Sequence, residues 1–163
     1  MNKSAIEIRH AKPEEWHAIR TLHVELMQFE KENFMPTWDL NYPFSIDAKK
    51  KMQNACADQD NLNAFVSIQN GAIIGFGILE QKDPKTYYHR KGVNSYYVSL
   101  LSVSKEHRNK GIGRKLIEHM KEYAKSEGAT HISIELVAGN ERAMHLYKDT
   151  GFKEHSHALE QKL

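Results

Sequence analysis

Arg108-Asn109-Lys110-Gly111-Ile112-Gly113 sits between an apolar run, Val98 to Val103, and a helix-periodic segment that carries on to Gly128. Two glycines two apart let a backbone approach a ligand and turn its N–H groups inward, and the helix they open brings its positive dipole end to the same place. Such a turn binds anions, and Arg108, Lys110, Arg114 and Lys115 surround it with positive charge. The pattern lacks the third glycine of a dinucleotide fingerprint, because position 116 is Leu, and it lacks the Gly-Lys-Ser/Thr end of a phosphate loop. Ten histidines raise the question of a metal, but His155 and His157 have no HExxH pair or cysteine beside them, so no metal is expected. Cys56 is the only cysteine; it forms no disulfide framework, and with no His beside it it is a poor acyl carrier.

The elements that must position this turn can be read from periodicity. Ile6 to Arg9 alternates as a short strand, and Pro13 opens a helix whose apolar face, Trp16, Ile19, Leu22, His23, Leu26, Met27 and Phe29, runs to about Glu30. Residues 33 to 43 read as irregular, and Ser45 caps a second helix running toward Ala57. Ala64–Ile68 and Ala72–Leu79 flank Asn70-Gly71, a strong hairpin signal. Ser95 to Val103 is a third long strand leading into the glycine turn, and the helix beyond it presents Ile112, Leu116, Ile117, Met120, Tyr123 and Ala124 on one face. His131 to Ala138 alternates again, Asn140 caps a last helix through Tyr147 that stops at Gly151, and Phe152 to Leu163 is expected to hold one or two short strands. Strand, helix, strand across the second half implies a parallel pair with a helical crossover, while the front half is antiparallel. The expected fold is therefore α/β, a mixed and mostly antiparallel central sheet flanked by helices, in a single domain spanning 1–163.

With 23 basic and 21 acidic residues the net charge is +2, too small to imply a nucleic-acid or membrane partner by bulk electrostatics. The longest apolar run, Ala72 to Leu79, is far short of the roughly 20 residues that cross a bilayer. No export signal is visible at the N-terminus, and a cytoplasmic location is expected.

Leu101 to Phe152 resembles the cofactor-binding half of the GCN5-related N-acetyltransferases (GNAT). Their signature, a basic residue or Gln, two spacers, Gly, one spacer, then Gly or Ala, stands here as Arg108 to Gly113. Their second block, Asn, two spacers, Ala, two spacers, Leu-Tyr, three spacers, Gly-Phe, stands as Asn140, Ala143, Leu146-Tyr147 and Gly151-Phe152. The resemblance implies the acyl-CoA N-acyltransferase fold and acetyl-CoA as co-substrate, with its pyrophosphate on the backbone of Arg108, Asn109, Lys110, Gly111, Ile112, Gly113 and Arg114. It implies a pantetheine arm bonded by the main chain around Leu101 and Val103, with Asn140 touching that arm and Tyr147 facing the thioester sulfur as acid or hydrogen-bond donor. A β-carbon at Gly111 or Gly113 would then hold the phosphates off the amides.

Many family members carry a carboxylate on the strand before the glycine turn, and Ser99 stands there in this chain. Glu80 is the candidate base, with Glu135 or a water relay as alternatives. The acceptor is expected to be a small-molecule or peptide amine, met by Phe34, Trp38, Tyr42, Phe44, Tyr87, Tyr88 and His89 and attracted by Glu25, Glu30, Glu32 and Asp39. A non-catalytic acyl-CoA-binding module of the same fold is the alternative to an enzyme. The resemblance also raises a homodimer paired through the sheet edge or the C-terminal strands.

Overall fold

A computed structural model describes residues 5–83 and 92–161. Five strands, β1 (Glu7–His10), β2 (Leu62–Gln69), β3 (Ala72–Gln81), β4 (Ser95–Val103) and β5 (His131–Ile134), form one sheet in the order of the chain. The first four pair antiparallel, and β5 lies parallel to β4. Helices α1 (Trp16–Asn33) and α2 (Ile46–Cys56) cover one face; α3 (Ile112–Ser126) makes the β4-to-β5 crossover on the other, followed by α4 (Glu141–Asp149).

Local chemistry sets these boundaries. Ser45 caps α2 by accepting a hydrogen bond from the Ala48 amide at 3.1 Å. Asn70 and Gly71 both take positive φ, 53° and 78°, the conformation a two-residue hairpin turn demands. Alternation along the strands then divides the core. Ala64, Val66, Phe76 and Ile78 pack beneath α1 and α2, while Phe65, Ile74, Leu79, Tyr96 and Val98 pack against Ile112, Leu116, Ile117 and Met120 of α3.

Two expectations are corrected. The strand read across His131 to Ala138 ends at Ile134, and the described tail, 152–161, forms no strand. Alternation in the tail places Lys153, His155 and His157 against Glu154 and Ser156, so neither face is apolar, and Leu159 is 98% exposed. A strand with no buried face and no intrachain partner has nothing to hold it.

The entry to α1 is clamped by a fork. Arg9 donates to both carboxylate oxygens of Glu15 at 2.9 and 2.7 Å, and the Lys12 amide donates to Glu15 at 2.7 Å. The Arg9 bond, foremost, holds the Glu15 carboxyl down to about 2 from 4.5. A depressed folded-state pKa stabilises above the unfolded value and loses that contribution as pH falls. Glu15→Gln is therefore expected to cost about 1–3 kcal/mol at pH 7 and progressively less from pH 4.5 toward 2, as read by urea unfolding at each pH.

Candidate active site

The last two strands part company. β4 pairs with β5 only from Ser95↔His131 to Val98↔Ile134, yet its pairing with β3 continues to Val103↔Gly75. From Ser99 to Val103 the outer edge of β4 thus has no strand beside it among the described residues, and apart from the Val103 carbonyl, which accepts from Arg108, its main-chain groups border a gap. The parting coincides with a bulge: Ile78 opposes Leu100 and Leu79 opposes Val98, leaving Ser99 as the extra residue. Leu101 and Val103 turn their side chains into the α3-side core, so the backbone is what they offer to the gap.

The glycine turn closes one end of it. Asn109 and Gly111 sit at φ 63° and 77°. The two glycines serve different ends. A β-carbon on Gly111 would meet nothing within 4 Å, so its glycine answers to the left-handed backbone; one on Gly113 would lie 3.2 Å from Leu146 Cδ2, so this glycine lets α4 pack against the first turn of α3. Gly111 caps α3 without a side-chain bond, and among the described residues the amides of Ile112, Gly113 and Arg114 donate to no protein acceptor. Those amides and the helix dipole remain available to an anion.

The surrounding cations are more committed than their sequence positions suggest. Arg108 Nε donates to the Val103 carbonyl at 3.0 Å, Nη2 pairs with Glu25 at 3.3 Å, and the guanidinium lies 4.8 Å from the centre of the Phe29 ring. Its side chain is a strut between β4 and α1. Lys110 donates to the Glu106 carbonyl at 2.9 Å, and Arg114 donates to Asp149 of α4. Asn140 caps α4, its carbonyl oxygen accepting from the Ala143 amide at 3.1 Å.

The C-terminal half of α1 spans the gap. Glu25 accepts from the Lys105 amide and from Arg108 at the β4 end, while Phe34 packs 3.5 Å from where a Gly139 β-carbon would stand, in the β5–α4 loop. Between them on α1 lies Glu30, whose charge is felt at the Tyr147 phenol. Burial, and then the Glu30 charge, push the Tyr147 phenol up to about 12. Burial pushes the Glu30 carboxyl up to about 6, and among the described residues no cation pairs with it. Glu30 thus titrates near neutrality while the phenol that senses its charge stays protonated, so the two proton affinities are pushed apart.

The sequence-predicted bases lie elsewhere. Glu80 is on the α2 side of the sheet, bonded to Lys82 at 3.0 Å and paired with Lys51 at 3.7 Å. Glu135 is exposed just beyond β5. Of the aromatic residues expected to wall an acceptor pocket, Tyr42 stands edge-on to His23 at 6.2 Å, Phe34 contacts Phe29, and Phe44 is 60% exposed beside Arg20; Tyr87, Tyr88 and His89 lie outside the described residues. The sequence reading did not connect the Glu30 charge with Tyr147 and gave His23 only an apolar role. Glu30 at the exit of an apolar helical stripe was the available signal for the first; a polar ring inside that stripe was the signal for the second.

Comparisons with known proteins agree with this geometry. A model of the acetyltransferase (GNAT) family matches residues 16–152. The chain is 34% identical over 89 residues to N-alpha-acetyltransferase 30 of Schizosaccharomyces pombe, covering 55% of this chain and 56% of that protein. It is 31% identical over 96 residues to thialysine N-epsilon-acetyltransferase of Bos taurus, covering 59% and 54%. The chain thus matches about half the length of these relatives. Among solved structures, a tetramutant of the BH1408 protein from Bacillus halodurans superposes with a TM-score of 0.84 at 20% identity, covering 96% of this chain and 99% of that one. AAC(6')-Iy in complex with the bisubstrate analog CoA-S-monomethyl-acetylneamine superposes at 0.71 and 16% identity, covering 98% and 99%. With the family model spanning most of the residues that build the sheet, the gap and the glycine turn, the chain belongs to the acetyltransferase (GNAT) family.

Proposed function

We propose that this protein is an N-acetyltransferase that moves the acetyl group of acetyl-CoA to a primary amine by direct attack in a ternary complex. The observation that carries the reading is the edge of β4 from Ser99 to Val103, which has no strand partner among the described residues, with free amides at the start of α3 at one end. Relatives named for acetylating amines, including N-alpha and thialysine N-epsilon positions, support the reaction class.

The substrate's pyrophosphate sits on the Ile112 to Arg114 amides, and its pantetheine arm bonds to the β4 edge as an added strand would. An ammonium, with a reference pKa near 10.4, gives up a proton to Glu30, directly or through water, before it can attack. We assign this step to Glu30 in preference to Glu80, whose charge is already shared by two lysines. The neutral amine attacks the thioester carbon, and a β4 main-chain N–H near Leu101 stabilises the oxyanion. As the C–S bond breaks, Tyr147 donates its phenolic proton to the thiolate and recovers one from the acetylated nitrogen. The proton held by Glu30 passes to water, so each turnover yields an amide, free CoA thiol and one proton.

The test is acetyl-CoA with a panel of amines, following thiol release. Amine-dependent release is the expected result. Tight acetyl-CoA binding without release for any amine class would instead make the protein a non-catalytic acyl-CoA-binding module.

A further inference from the structure

A cavity of about 140 Å³ opens on the opposite face of the sheet from α3, between α1, α2 and the β4 bulge. His23, Tyr42, Lys51 and Ser99 supply its polar lining, and Met52 and Leu100 part of its apolar lining. It meets the gap at Ser99 and Leu100, the first residues of β4 past the pairing with β5. Two things about its polar groups stand out. His23 is only 4% exposed and its Nδ1 is buried without a hydrogen-bond partner. An unpartnered buried polar atom costs the folded state, and a site that keeps one commonly serves a ligand or ordered water. Every polar side chain lining the cavity can donate a hydrogen bond, Ser99 by turning its hydroxyl from the Ile78 carbonyl 3.5 Å away, and none of them is a carboxylate.

The charge has one sign. Lys51 reaches Glu80 at 3.7 Å, but Glu80 is also bonded to Lys82 at 3.0 Å, so two ammoniums share this carboxylate. The field of Lys51 extends to His23, where it adds to burial in lowering the imidazole to about 4, keeping that ring neutral and able to offer one N–H. At Ser99 the cavity thus presents a neutral hydroxyl, and Lys51 in the same lining presents a cation. Such a lining repels a second ammonium and attracts an anion.

Resting on the acetyltransferase reading, we infer that this cavity receives a carboxylate of the acceptor, with Lys51 as its counter-charge and His23, Tyr42 and Ser99 as hydrogen-bond donors, so that the substrates are small amino acids. The amine of such an acceptor points toward Glu30 and Tyr147 while its carboxylate is anchored at the bulge. Polycationic acceptors, whose second charge would fall beside Lys51, are disfavoured.

The test pairs each of several ω-amino acids of increasing chain length, and lysine, with its carboxamide and with the diamine that lacks the carboxylate. For the wild type, KM is expected to be at least tenfold lower for the acid of matching length than for its amide, with kcat within about threefold. Lys51→Gln should erase that difference, and Lys51→Glu should favour the diamine. Because Lys51 is partly exposed, both variants should keep the wild-type thermal midpoint, which separates lost recognition from lost fold. As a readout independent of turnover, the His23 imidazole resonances should shift on adding 5-aminopentanoate and stay in place on adding 1,5-diaminopentane. Amides and diamines used as well as acids, or an acid preference that survives Lys51→Gln, would overturn the inference while leaving the acetyltransferase reading intact. A protein that acetylates no amine of any kind would remove both.

Discussion

Replacing Tyr147 by Phe is expected to lower kcat for acetyl transfer by about 100-fold while acetyl-CoA affinity stays within about threefold, since a positioned proton donor contributes about 10²–10⁴ in rate and little to binding. The phenol's environment supports this. Burial and the neighbouring Glu30 charge push it up to about 12, so it carries its proton at every pH where the protein would work. The same burial raises the proton affinity of a thiolate formed beside it, which brings donor and acceptor closer together. The loss should therefore appear in the step that breaks the C–S bond. Phe keeps the ring, and with it the edge contact to Phe152 at 6.1 Å and the packing against the α3-side core. Unfolding midpoints should then match to within about 1 kcal/mol, so a fall in rate cannot be traced to folding. Single-turnover thiol release, with calorimetric titration of acetyl-CoA, separates the two quantities. An unchanged single-turnover rate would refute Tyr147 as the donor.

The fold was legible in the sequence wherever one face of an element is buried. α3 announces itself because Ile112, Leu116, Ile117 and Met120 all end up wholly inside, and the β2–β3 hairpin because Asn70 and Gly71 accept positive φ at low cost. The tail was misread because alternation without an apolar face resembles a strand on paper and has nothing to pack against in three dimensions. At the site, residues held by the backbone were legible and residues held by long-range packing were not. Gly111 and Asn140 act through their own local geometry, a left-handed turn and a helix cap, and a single sequence encodes both. Arg108 has the charge expected of a phosphate ligand, but its partner Glu25 lies 83 residues earlier. Glu80, the base expected from sequence, has two lysines beside it, one of them on α2 and 29 residues earlier in the chain. The role proposed for Glu30 depends on Tyr147, 117 positions later in the chain, whose phenol senses its charge.

Glu30→Gln carries the other large effect, and it separates a catalytic carboxylate from a structural one because activity and stability should move in opposite directions. The variant keeps shape and hydrogen-bonding capacity but cannot accept a proton, so kcat/KM should fall by about 100-fold at neutral pH. As the proposed base, Glu30 works only when ionised, above about 6. The acceptor ammonium, near 10.4, must also lose its proton. Log kcat/KM should accordingly rise with a slope of about 2 below pH 6 and about 1 above it, whereas the variant should show a slope of about 1 throughout. The stability change has the reverse sign. A carboxyl raised from 4.5 to about 6 by burial contributes stability that is fully present below the unfolded value and is lost as pH rises through the folded one. At pH 7 the wild type therefore holds an ionised, half-buried carboxylate, without an ion pair among the described residues, at a cost of order 1 kcal/mol, which the amide removes; at pH 4 the two proteins should be equally stable. Urea unfolding at the two pH values, beside the pH–rate profile, checks both halves. A Glu30→Gln protein that is less stable at pH 7, or that keeps the wild-type acid limb, would show that the carboxylate belongs to the scaffold and that the proton leaves the amine by another path.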